Sequence, residues 1–156
     1  MSWSVSKIFT TWPKDLMGNT TAGDMDADVP KVALYNNTIT PDQTVTSANT
    51  AYNVGQWANT NEVIDASGWP AGGRPLVTPT WTFATNVITY DAVDTASANS
   101  TTTLSANHGC LVYDDTLAAI VVDQGMSYHY FGGLQQVTNG LFTIIWNPSG
   151  IQTYTV

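Results

Sequence analysis

Asp24, Asp26 and Asp28 alternate as the first ligands of a calcium loop do, because a hard cation gathers several carboxylate oxygens from one tight turn. The pattern stops there. The sixth loop position, where glycine permits the sharp turn, is Val29, and the twelfth, where a bidentate glutamate belongs, is Tyr35. A turn leading into a strand is the expected role. His108 and Cys110 would share one face of a strand, yet two ligands fall short of the set a structural zinc requires. Cys110 is the only cysteine, so no internal disulfide forms, and its apolar neighbours Leu111 and Val112 mark it as a packing residue on a buried strand.

Nucleophilic chemistry finds no better footing. Serines, threonines and two histidines are present, but no Gly-x-Ser-x-Gly elbow ties a nucleophile to a base. Glu62 is the only glutamate, so a pair of catalytic carboxylates would have to come from aspartates, most of which sit in turn-like contexts. The run Gly68-Trp-Pro-Ala-Gly-Gly-Arg-Pro75 lacks the Gly-Lys-Ser/Thr ending of a phosphate cradle and reads as a rigid surface loop. Arg74, the sole arginine, is a candidate for a forked salt bridge to a carboxylate of its own chain or of a neighbour. No catalytic residue, cofactor or metal ligand is therefore assigned.

The elements that would carry these residues are mostly strands. Val5, Ile8, Phe9, Trp12 and Leu16 recur at helical steps, which predicts an N-terminal helix that stops or kinks near Pro13, restarts with Pro13 in its first turn, and ends at Gly18. Beyond it come short runs rich in Val, Ile, Thr, Tyr and Trp, separated by Gly, Pro, Asn and Asp. They fall at 29–35, 81–83 and 87–90 around a Thr85-Asn86 turn, 109–113, 119–122, 128–131 before a Gly132-Gly133 break, 141–146 and 151–156. Residues 36–77 read as long loops, with a possible strand at 62–64. The expected fold is mainly β: an antiparallel β-sandwich, jelly-roll or Ig-like, with a short N-terminal helical segment at 1–18 and one β domain at 19–156.

Composition sets the outer limits. The chain has 156 residues, enough for one domain with its own core, and 43% of them are hydrophobic. Only 10% are charged, so the surface is largely Thr, Asn, Ser and Gln. A net charge of −8 repels phosphate and anionic lipid, which argues against nucleic-acid and membrane partners. No long apolar run or signal-like N-terminus is evident, so an intracellular, unprocessed product is expected.

Several segments together resemble a family of small virion structural proteins of tailed bacteriophages. They are Asp28-Val-Pro-Lys-Val-Ala-Leu-Tyr-Asn-Asn37, Thr40-Pro-Asp-Gln43, Asn61-Glu-Val63, Gly68-Trp-Pro-Ala-Gly-Gly73, Thr89-Tyr-Asp-Ala92, Cys110-Leu-Val-Tyr-Asp-Asp-Thr116 and Asn139-Gly-Leu-Phe-Thr-Ile-Ile-Trp-Asn-Pro-Ser-Gly-Ile151. The resemblance covers most of the chain, and none of its motifs is chemically diagnostic. It implies a non-enzymatic capsid decoration or cement protein on the exterior of the virion, made in the host cytoplasm. Its partners would be the major capsid protein and further copies of itself, a trimer being the usual form. A tail or head–tail junction component, and a carbohydrate- or receptor-binding β module, are the alternatives. Six tryptophans exceed what so small a core needs, and tryptophan is favoured at interface anchors. The candidate interface residues are Trp3, Ile8, Phe9, Trp12, Trp57, Trp69 and Arg74, with core packing as the competing role for the tryptophans.

Overall fold

A computed structural model describes residues 3–18 and 23–156; the boundary expected at 18/19 adjoins residues 19–22, which lie outside the described residues. In chain order the elements are β1 (Lys7–Ile8), α1 (Thr11–Met17), β2 (Lys31–Tyr35), α2 (Ser47–Thr50), two 3-10 turns (Gly55–Trp57 and Asn59–Asn61) and β3 (Arg74–Pro75). There follow β4 (Val77–Ala84), β5 (Val87–Val93), β6 (Thr95–Ala96), β7 (Thr102–Tyr113), β8 (Gly125–Gly140), β9 (Thr143–Ile144) and β10 (Gln152–Thr155). A five-stranded sheet in the order β1-β8-β7-β2-β3 accompanies a three-stranded sheet β10-β5-β4 and a small β6-β9 pair. Every pairing is antiparallel, and the fold is mainly β as expected, consistent with a β-sandwich.

One buried cluster joins residues of all three sheets, among them Leu34 of β2, Tyr90 of β5, Leu111 of β7 and Ile144 of β9. Cys110 is fully buried on β7, the packing role expected of it. The hairpin at 84–87 is also as expected: Ala84 pairs with Val87, and Thr85 and Asn86 take φ of 50° and 62°, the left-handed pair of a tight two-residue turn. The aspartate run forms a turn, with the Asp24 N–H donating to Asp28 Oδ2 at 2.7 Å before β2 begins.

The N-terminal helix is shorter than its apolar stripe. Lys7 and Ile8 pair with Tyr128 and Ser127 as a strand, and only Thr11–Met17 is helical. Pro13 lies in the first turn, where its missing N–H costs nothing, and the N–H of Gly18 closes the helix on Lys14 O at 2.8 Å. Two further expectations change. β8 continues past Gly132 and Gly133 as one strand, but the expected break survives as a bulge: the β7–β8 register shifts between Tyr130 and Gln135, where the two glycines take φ of +79° and +148°. Residues 119–122 form an exposed bend instead of a strand.

Candidate functional site

The seven candidate interface residues fall into three groups once their surroundings are known. Trp3, Phe9, Trp12, Trp57 and Trp69 are 3% exposed or less, so they form part of the core and present no surface to a partner. Trp3 and Phe9 meet Trp57 edge-on at 5.8 and 5.9 Å, and Tyr35 meets it at 5.1 Å. Of the apolar stripe, Phe9 and Trp12 are fully covered by the fold while Val5 stays exposed, so Trp12→Ala is a core truncation that costs about 3–5 kcal/mol of folding. Ile8 is half-buried on β1. Arg74 is half-buried beside Val32, and among the described residues it makes no ion pair; its Nε is buried without a hydrogen-bond partner.

The long segment 36–77 is ordered from within. Trp57 and Trp69 are its anchors, and Glu62 is its clamp, accepting from Tyr52 OH and from the Gly72 N–H, each at 2.9 Å. Burial raises the Glu62 carboxyl above its ordinary range despite these donors. Gly73 lies so close to β2 that a Cβ would meet the Val32 carbonyl oxygen at 1.9 Å, which is why the glycine run is needed here. Asp65 accepts from the backbone of Thr103 at 2.7 Å, and this bond above all holds its carboxyl far below the usual range.

The arrangement nearest to a nucleophile and base was not legible beforehand. Ser127 Oγ lies 3.0 Å from His129 Nε2 beside a groove between β1 and β10. Ser127 is fully buried, and its hydroxyl also accepts from Gln152 Nε2 at 3.0 Å, which in turn receives Tyr154 OH on its Oε1 at 2.7 Å. The His129 ring, half-buried where it lines the groove, meets Trp146 edge-on at 5.3 Å, and the protein packed around it pulls its pKa down to about 4. A serine sealed inside a hydrogen-bond chain cannot reach a substrate carbonyl, so this chain holds β8 to β10. A second buried polar site lies at the end of β7. Burial, with the neighbouring Asp28 carboxylate, holds Asp114 up at about 6, against donation from Thr116.

Two surface clefts carry no charged side chain. A cleft of about 460 Å³ between β8 and β9 mixes the apolar Phe131, Phe142, Ile144 and Ile145 with the polar Tyr130, Gln135 and Thr143; Ile145 is 78% exposed, and Leu134, beside Gln135 on β8, is 52% exposed. A second cleft, about 420 Å³, lies under the β4–β5 hairpin, walled by Leu16, Met25, Trp81, Ile88, Tyr154 and Val156. Met17 and Phe83 stand at this end 84% and 66% exposed. The T-W-T-F alternation signalled that strand, but nothing in it signalled that one of its edges is left open. No protein family, curated protein or solved structure matches this chain.

Proposed function

We propose that this chain is a non-enzymatic structural protein of a tailed-phage virion, a decoration protein that docks on the outer face of the capsid and bridges major capsid subunits. The supporting observation is a pair of separate clefts without charged side chains, the hairpin cleft mainly apolar and the β8–β9 cleft mixed. The β8–β9 cleft is lined by β9, which pairs with β6, the hairpin cleft includes Ile88 near the start of β5, and the two share no lining residue. Neither lining contains a charged side chain, so covering them removes apolar area from water without desolvating ions. A protein that works by bridging needs two such surfaces. The net charge of −8 keeps it away from packaged DNA, in line with the exterior. Its mechanism is mass action: whatever binds only the assembled shell stabilises it.

The β8–β9 cleft is the capsid-facing surface in this reading. Ile145→Asp places a charge in it without touching the core, since Ile145 is 78% exposed. Co-sedimentation of purified protein with assembled capsids should fall at least about tenfold in affinity, the equivalent of losing one well-buried anchor, while the unfolding midpoint stays put. Unchanged co-sedimentation contradicts the reading. A carbohydrate-binding module would instead need exposed stacking rings, and five of the six tryptophans are buried, with Trp81 half-buried.

A further inference from the structure

We infer that the free edge of β4 is a self-association surface, on which a second copy pairs its own β4 antiparallel about a two-fold axis through Thr82. The inference stands on the geometry of this strand and does not depend on the virion reading. β4 is the outer strand of its sheet, and among the described residues it pairs only with β5. The tight turn makes Ala84 and Val87 a hydrogen-bonded pair, so the alternation along the ladder turns Thr82 and Ala84 inward to β5. The N–H and C=O of Trp81 and Phe83 must then point outward. The far side of β5 agrees: Tyr90, opposite Trp81, gives its carbonyl to Ile151 on the β10 side at 2.8 Å.

Natural edge strands are protected by lysines, inward charges or coverage. This one reads Val-Thr-Pro-Thr-Trp-Thr-Phe-Ala and carries no charge at all. Pro79 and the register shift between Val77 and Thr80 spoil its first half, leaving Thr80–Ala84 as the straight part. That part is self-complementary. With Thr82 facing Thr82 of the other copy, the outward groups of Trp81 meet those of Phe83 and the reverse, so every outward donor and acceptor is satisfied. Trp81 and Phe83 lie on one face, opposite Tyr90 and Ile88, so each Trp81 would sit beside the other copy's Phe83 as a cross-strand aromatic pair. This contact would cover Phe83, now 66% exposed. An uncharged edge also lets two chains of net charge −8 meet without bringing like charges into direct contact. The product is a dimer with one continuous sheet, not the trimer that the family resemblance suggests.

Register-specific crosslinking tests this with the purified chain alone. Thr82→Cys places the two thiols opposite each other at a close, non-hydrogen-bonded pair, whereas Thr80→Cys, on the same face, leaves them roughly 13 Å apart along the strands. The native Cys110 is fully buried and stays silent. Mild oxidation should convert most of the Thr82→Cys protein to a covalent dimer and little of the Thr80→Cys protein. Adding Phe83→Lys should abolish the crosslink while the circular dichroism and unfolding midpoint stay unchanged. Wild-type protein should sediment as a dimer with rising concentration. Equal crosslinking at both positions, none at Thr82→Cys, or a wild-type chain that stays monomeric or forms trimers would overturn the inference.

Discussion

Trp69 donates its indole N–H to the Val32 carbonyl oxygen at 3.1 Å, joining positions 37 residues apart, and its ring meets Phe142 edge-on at 5.7 Å. A residue in a glycine-rich loop thus pins that loop to β2 and to the segment entering β9. Trp69→Phe keeps most of the apolar volume but leaves the Val32 carbonyl without this donor and opens a small cavity. We expect a loss of about 2 kcal/mol in urea unfolding, with the midpoint lowered and the slope unchanged.

Gly73 and Gly132 separate conformational cost from steric cost. Both have φ near +80°, but a Cβ at Gly73 would strike the Val32 carbonyl at 1.9 Å, while a Cβ at Gly132 meets nothing within 4 Å. Gly132→Ala should cost about 1 kcal/mol, the left-handed penalty alone. Gly73→Ala should cost several times more or prevent folding, because β3 could no longer reach β2. Calorimetric melting of the two variants side by side checks the ranking.

How much of this was readable beforehand depended on whether a local pattern sufficed. The Thr85-Asn86 turn, the buried Cys110 strand and the end of the helix at Gly18 each follow from one or two residues with narrow conformational choices, whereas the helix runs only from Thr11 and has no earlier stretch to restart at Pro13. Ile8 fitted the helical stripe equally well, and only its pairing with Ser127, far along the chain, made it a strand residue. Gly132-Gly133 does interrupt the β7–β8 ladder, whose register shifts between Tyr130 and Gln135, but β7 pairs with β8 on both sides of the shift and the strand resumes beyond it. The tryptophans of the loop region could have faced a partner or the core; composition does not distinguish these. The open edge of β4 and the two clefts belong to the assembled fold and have no local signature.

Asp114 and His129 should give stability opposite pH slopes. Asp114 is raised to about 6 in the fold, above its ordinary value, so its favourable share is full at low pH and is lost as pH rises through about 6. Asp114→Asn keeps an oxygen for the Thr116 donors and removes the buried charge. It should stabilise the protein at pH 7 by on the order of 2 kcal/mol and do nothing near pH 4. Chemical denaturation at the two pH values is the check, and an equal effect at both would exclude a titrating Asp114.

His129 is lowered to about 4, so its contribution is full above its ordinary pKa and is lost as pH falls through about 4. Its ring proton resonances should hold their neutral positions between pH 7 and about pH 5, where an unperturbed histidine has become mostly charged. A midpoint near 6.5 would mean that the ring is solvated and that the Ser127–Gln152–Tyr154 chain is open.

The proposed role, covering area on a repetitive shell, is tested most directly by stoichiometry. Quantitative staining of purified virions should show this chain in a fixed ratio to the major capsid protein, comparable with the number of capsid subunits. A few copies per particle, or no virion-associated copies, would contradict the account.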